Sequence, residues 1–355
     1  GRRRGWLLAI QALLAVAILA LGFTDPKDDP ALVAMIAVVV AFLSASQDIV
    51  IDAYRIELLK AEEQGAGAAA TQWGYRFGMI ASSAGALFVA EFGGWSGAYA
   101  VMAALMSVGM MTVWLTPEPV GSAHALAPMP GSTAAERLVT WIRRAVIAPF
   151  ADFMTRPGWA AVLIFVVLYK FGDALAGVMA NPFYVAMGFS KIEVASISKV
   201  FGVAATLAGL AAGGVMVYRL GMYQSLLICG VLQGASNLMY ALQALVGHDI
   251  FMLTLTIGVE NFTGGMGSAA FVAYLSSLCN VAFTATQYAL LSSLATVGRT
   301  TLSASGGWLA DQLDWFVFFV LTTGAAVPGI LMVLWLMRRL PLTAPLAKPA
   351  LALDD

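Results

Sequence analysis

Apolar residues along this chain fall into blocks of about twenty, each closed by a short polar or turn-forming stretch. A helix rises ~1.5 Å per residue, so a block of that length spans the ~30 Å hydrocarbon core of a bilayer. Ten blocks are present: Trp6 to Phe23, Ala31 to Leu58, Gly67 to Ala90, Trp95 to Leu115, Trp159 to Met187, Ala195 to Tyr218, Met222 to Val246, Ile250 to Leu278, Ala285 to Leu309 and Trp315 to Met337. The first is not a cleavable signal ahead of a soluble domain, because nine spans of the same kind follow it. The pattern predicts an all-α, polytopic integral membrane protein.

Composition agrees with the pattern. Of 355 residues, 60% are hydrophobic and 11% charged, against ~45–50% and ~25% in a soluble domain, which excludes a water-soluble enzyme. Nineteen Lys and Arg against twenty Asp and Glu give a net charge of −1, so no broad basic face exists for nucleic acid. Cys229 and Cys279 sit in apolar runs far from any CxxC spacing, which favours packing over chemistry. His124 and His248 lie in or beside loops, without a metal-ligand partner at helical spacing and poorly placed to act as base to a nucleophilic serine. The sequence has no GxxxxGK[ST] loop for ATP.

Basic residues set the orientation, since short cytoplasmic loops carry the excess of Lys and Arg. With Gly1 to Gly5 in the cytoplasm, that side receives Arg2, Arg3, Arg4, Arg55, Lys60, Arg137, Arg143, Arg144, Arg156, Arg219, Arg338, Arg339 and Lys348, and the opposite side only Lys27 and Lys191. The longest connection, residues 116–157, holds PEP, PMPG and the stretch AAERLVTWIRRAVIAPFADFM. In it Leu138, Trp141, Ile142, Ala145 and Ile147 oppose Glu136, Arg137, Arg143 and Arg144, the pattern of a basic amphipathic helix on the cytoplasmic membrane surface. This segment divides the chain into a first helical half, residues 1–115, and a second, residues 158–340, with a cytoplasmic tail at 341–355.

Short internal matches link the halves. ATQW at Ala70 to Trp73 returns as ATQY at Ala285 to Tyr288, and AY at Ala53 and Tyr54 returns at Ala273 and Tyr274. GALFVAEFGGW (Gly85 to Trp95) resembles GGWLADQLDW (Gly306 to Trp315). Offsets of 215 to 221 positions describe one duplicated unit. Four spans then stand against six, so the chain reads as a 6+6 duplication whose first two helices would precede Gly1. In such folds the ligand path runs between the halves.

The GxxxxRxG run at Gly214 to Gly221, its remnant at Gly1 to Arg4 and the 6+6 pattern resemble the major facilitator superfamily. FLSASQDIVIDAYRIELL (Phe42 to Leu59), ENFTGGMGSAAFVAYLSSLCN (Glu260 to Asn280) and FTATQYALLSSLATVGR (Phe283 to Arg299) resemble, more specifically, the AmpG-type muropeptide permeases, over nearly all of Gly1 to Leu340. The resemblance implies import of anhydro-muropeptides, glycopeptide products of cell-wall turnover, across the bacterial inner membrane by alternating access and proton symport. It implies no cofactor beyond the proton gradient, and as partners the bilayer, protons and a small glycopeptide, with the protein a monomer. One departure is visible: Tyr218 stands where the second-half loop would carry the acid of a GxxxDR motif.

Interior charges form the candidate site. A charge near the bilayer centre costs several kcal/mol unless it is paired or faces water, so each is a functional candidate. In QDIVIDAYR, Asp48, Asp52 and Arg55 share one helical face beside Gln47. Two carboxylates one turn apart resist ionising together, as proton coupling requires, while an ion-pair lattice at the helix end is the structural alternative. In YKFGDALAG, Lys170 and Asp173 can neutralise each other or part for a charged ligand, beside Tyr169. Arg76 and Arg299 are candidate anchors for ligand carboxylates, with interhelical pairing to Glu260 or Asp173 as the alternative. Lys199 reads as a residue that snorkels to the interface.

A sugar ligand also requires aromatic faces and amide hydrogen bonds, and Gln72, Trp73, Asn261, Gln287 and Tyr288 lie on the same helices. GLAAGG (Gly209 to Gly214) and GGMGSA (Gly264 to Ala269) supply small faces for close helix approach. Two other readings fit these residues: a facilitator-fold carrier of another anionic solute, such as an acyl-coenzyme A ester, and a membrane receptor that does not transport.

Overall fold

The computed structural model describes residues 2–119 and 143–340, and no strand occurs among them. The helices are α1 (Arg2–Gly22), α2 (Pro30–Leu58), α3 (Gln64–Ile80), α4 (Ala86–Leu115), α5 (Ala148–Met154), α6 (Trp159–Leu168), α7 (Phe171–Ala186), α8 (Lys191–Ser196), α9 (Val203–Leu220), α10 (Met222–Val246), α11 (Ile250–Ser277), α12 (Thr284–Ser303), α13 (Gly306–Gln312) and α14 (Trp315–Arg339). Glu136, Arg137, Leu138, Trp141 and Ile142 of the expected surface helix lie outside the described residues, as do His124 and the tail at 341–355. From Arg143 onward that stretch is helical, with a π-helical turn at Arg143–Ile147 leading into α5.

Every apolar block forms helix, but four blocks are jointed. Gly94 sits within α4 at φ +67°, a backbone state open to glycine at little cost, and it separates the blocks ending at Ala90 and beginning at Trp95. A wide turn at Ala81–Gly85 joins α3 to α4, and another at Ile197–Gly202 joins α8 to α9. The block from Trp159 breaks at Tyr169 and Lys170 between α6 and α7, and the block from Ala285 breaks between α12 and α13. Among the described residues, seven helical runs are long and apolar enough to cross a membrane, one of them, Ala61–Leu115, holding two blocks. The helices α11 and α12 form over two further blocks yet fall short of that apolarity. Some of their polar residues turn inward: Thr256, Thr263, Ser276 and Gln287 are buried.

The helix ends carry their own signals. Asp29, Asp249 and Asp314 each accept a hydrogen bond from the third residue beyond, capping α2, α11 and α14, and Ser190 and Glu193 form a reciprocal capping box on α8. Arg55, Arg219, Arg338 and Arg339 occupy the last turns of α2, α9 and α14. Acids at the amino ends and bases at the carboxyl ends both complement the helix dipole.

Two compact units result. One comprises the described residues of Gly1–Lys60 and Trp73–Pro128 with Val281–Tyr288. Within it α1 runs antiparallel to the second part of α4. Ser96 donates to the Gly22 carbonyl at 2.6 Å, a Cβ on Gly109 would stand 2.9 Å from Gln11 Nε2, and Arg4 reaches the Val113 carbonyl at 2.9 Å.

The other unit comprises Ala61–Gln72, the described residues of Met129–Asn280, and those of Ala289–Asp355. Lipid tails are as apolar as leucine, so close backbone approach does much of the work that water exclusion does in soluble proteins. The small faces meet as expected. A Cβ on Gly209 would lie 2.0 Å from the Phe262 carbonyl oxygen, on Gly213 2.6 Å from that of Met266, and on Gly265 2.5 Å from that of Thr206. Further along, Phe183, Tyr240, Phe318 and Phe319 interlock α7, α10 and α14 in an aromatic core.

Candidate functional site

The end of the first unit is knit by polar contacts that begin with the motif on α2. Arg55 Nη2 lies 3.3 Å from Asp52 Oδ1, one turn away, and the buried guanidinium sits over the Tyr288 ring at 5.7 Å from its centroid. Asp48, a turn earlier, is exposed and makes no ion pair among the described residues. The side-chain oxygen of Gln47 is buried without a hydrogen-bond partner among those residues. The two acids of one face therefore differ: one is held by an arginine and the other is open.

Beside them lies a cluster that charge spacing did not reveal. Arg3 Nε donates to Glu57 Oε2 at 3.1 Å, and Tyr54 donates its hydroxyl to the Pro117 carbonyl. Glu118 receives the backbone amides of Arg3 at 2.6 Å and Arg4 at 3.1 Å. Burial alone would raise the Glu118 carboxyl, but these amides outweigh it and hold the group below the ordinary glutamate range.

In the second unit the joint between α6 and α7 presents Lys170. Its ammonium is 3.0 Å from Gln233 Oε1 and 3.8 Å from Asp173 Oδ2. Tyr169 is buried, donates to the Leu226 carbonyl at 2.9 Å and stacks on Phe271 with centroids 5.3 Å apart. Those contacts fasten α6 to α10 and α11.

Glu260 receives Asn261 Nδ2 at 3.0 Å; that amide also donates to the Ile257 carbonyl at 2.9 Å and accepts from Thr206 at 2.9 Å. The Tyr184 and Tyr240 hydroxyls lie 3.4 Å apart. Arg76 is half-buried and Arg299 exposed, and neither forms an ion pair among the described residues, so the alternative reading of Arg299 as a partner of Glu260 or Asp173 finds no such pair there. Trp73 meets Phe77 edge-on at 6.3 Å, Gln72 is half-buried, and Gln287 and Tyr288 are buried.

Sequence reasoning missed Gln233 and Asn237, and read Gly267 only as part of a small face for helix approach. The first two are amides four residues apart in α10, a helix without a charge, and they lead a stripe continued by Tyr240 and Gln243. That helical spacing of polar residues was the available signal. It also missed the contact of His248 with Glu193 at 3.6 Å, with the imidazole stacked on Phe189 at 4.4 Å. Cys229, expected to pack, is buried with its sulfur 3.9 Å from that of Met216.

The described residues thus form an all-helical protein whose apolar helices carry ions of both signs. Residues 1–242 match the model of the Major Facilitator Superfamily. The chain is 43% identical over 336 residues to the anhydromuropeptide permease of Escherichia coli K12, covering 94% of this chain and 66% of that permease. It is 32% identical over 341 residues to putative transporter AmpG 4 of Rickettsia felis, covering 96% of this chain and 80% of the relative. Two solved structures share the fold: the fucose:proton symporter of E. coli (TM-score 0.70, 11% identity, 94% of this chain and 83% of that one) and the proton:xylose symporter XylE (TM-score 0.66, 15% identity, 96% and 80%). The chain belongs to the Major Facilitator Superfamily, within its AmpG-type permeases. The relatives named here are permeases and transporters, not enzymes.

Proposed function

We propose that this chain imports anhydromuropeptides across the bacterial inner membrane by proton symport and alternating access, as a monomer without a cofactor. The observation that carries the reading is 43% identity, over 94% of the chain, to a permease for that class of solute. The ions support the coupling. Asp48 is the proton carrier and Asp52 its paired neighbour, with Arg55, Lys170, Asp173 and Glu260 as the ions that rearrange during gating. Arg76 and Arg299, which have no ion-pair partner among the described residues, anchor carboxylates of the peptide. Gln47, Gln72, Trp73, Tyr169, Asn261, Gln287 and Tyr288 serve the glycan and peptide, Tyr169 through packing. The bases that end α2, α9 and α14 support a cytoplasmic carboxyl terminus. Residues 1–115 and 158–340 serve as the two helical halves.

The test is solute choice in cells lacking their own permease. Cells expressing the protein should accumulate radiolabelled anhydromuropeptide above the empty-vector level, and excess unlabelled acyl-coenzyme A ester should not compete. Accumulation of the ester instead would replace the substrate, and no flux of either solute would replace the function.

A further inference from the structure

Lys170 occupies the joint between α6 and α7, where its backbone leaves the helical region at φ −102°, ψ 12°. That joint is clamped. A Cβ on Gly172 would lie 2.5 Å from the Thr322 carbonyl oxygen, and one on Gly329 would lie 2.9 Å from the Tyr169 Cα, so α14 holds the turn directly. With the backbone fixed, the place of the ammonium depends on what meets its tip.

The nearer contact is not the carboxylate of Asp173. Gln233 Oε1 accepts from Lys170 at 3.0 Å, whereas Asp173 stands at 3.8 Å, beyond hydrogen-bond length. Gln233 is itself 4% exposed, and its Nε2 is buried without a partner among the described residues. A Cβ on Gly267 would stand 2.5 Å from that same Oε1 and 3.3 Å from the Lys170 nitrogen. Gly267 therefore makes room for the contact between the amide and the lysine.

A neutral acceptor has a different consequence from an anionic one. It satisfies a desolvated ammonium without cancelling its charge, while a tight carboxylate would cancel it and would have to be displaced. An ammonium has three hydrogens, and Gln233 takes one. The side chains of Lys170 and Asp173 remain 14% and 26% exposed, so the pair is not sealed from its surroundings.

We propose that Lys170, seated by Gln233 against Gly267, is a carboxylate-binding site for the transported solute, with Gln233 as its positioning residue. The ligand's carboxylate takes the ammonium and the long contact to Asp173 is given up. The identity of the ligand rests on the muropeptide reading above, whose peptide chain ends in carboxylates.

The test compares two probes by calorimetry on purified protein: an anhydromuropeptide with free carboxylates, and the same molecule with those carboxylates amidated. The wild type should prefer the acid by about tenfold or more. Gln233→Glu, which places a cancelling charge on the seat, should lower that preference about fivefold, as should Lys170→Gln, the remaining preference belonging to Arg76 and Arg299. Gly267→Ala, which displaces the amide while leaving both polar side chains in place, should do the same if either of those variants fails to fold. The ratio of acid to amide affinity is the readout because a merely structural defect weakens both probes together. A preference undiminished from the wild type in folded Gln233→Glu or Gly267→Ala overturns the proposal, as does equal affinity of the wild type for both probes. Wild-type protein that binds neither probe overturns the muropeptide reading and this site with it.

Discussion

The guanidinium of Arg55 lies over the ring of Tyr288, 5.7 Å from its centroid, while its edge meets Asp52 at 3.3 Å. One cation thus answers both an acid on its own helix and an aromatic face from a distant part of the chain. A planar guanidinium stacks and bonds sideways at once, which a lysine ammonium cannot do. A double-mutant cycle with Arg55→Ala and Tyr288→Leu, read by thermal unfolding of purified protein, should give a coupling energy of about 0.5–2 kcal/mol. Strictly additive effects would show that the ring and the cation do not interact.

Asp48→Asn removes a titratable proton at almost constant volume. The variant should insert and fold normally yet lose uphill uptake driven by a pH gradient, while exchange of labelled for unlabelled solute at equal concentration continues. Undiminished gradient-driven accumulation would assign coupling to another acid.

Arg76 and Arg299 divide anchoring from architecture. Replacing either by Lys keeps the charge and discards the planar fork, so affinity for a peptide-bearing muropeptide should fall by roughly tenfold, about 1.4 kcal/mol. Neither arginine has an ion pair among the described residues to lose, so the thermal midpoint should move little. Affinity unchanged in both variants, measured by calorimetry, removes them from the binding site.

Glu118 supplies a pH-dependent contribution outside the spans. Its carboxyl lies lower in the folded protein than the ordinary value of 4.5. The sign follows: the charged form is favoured by folding, so the contribution is present above pH 4.5 and disappears as pH falls through the folded value. The group is half-buried at the edge of the fold, and screening by solvent there keeps the effect under about 1 kcal/mol. The thermal midpoint of the wild type should exceed that of Glu118→Gln at neutral pH, with the gap closing below pH 4.5. A gap that is constant with pH would mean that the carboxylate charge does not contribute.

The spans were legible because hydrocarbon thickness imposes block length on the sequence, and GLAAGG and GGMGSA announced close approach because only small residues permit it. The pairing of Lys170 with Asp173 followed from helical spacing, and so did that of Asp52 with Arg55. What stayed hidden depended on contacts between distant parts of the chain. Gln233 lies sixty-three positions from Lys170, and an uncharged amide barely interrupts an apolar block. The joint at Tyr169 and Lys170 was hidden too, because no proline marks it and because the clamp that holds it comes from Gly172 and Gly329 against their neighbours. Glu57 and Glu118 belong to no motif, and only the packing of α1 brings Arg3 and Arg4 to them.

The central claim is that a proton gradient drives an anhydromuropeptide across the membrane through this protein. Purified protein in liposomes, loaded at pH 8 and diluted into buffer at pH 6, should concentrate radiolabelled anhydromuropeptide above the external level, and a protonophore should abolish the excess. Uptake that merely equilibrates, or that ignores the protonophore, would contradict the account.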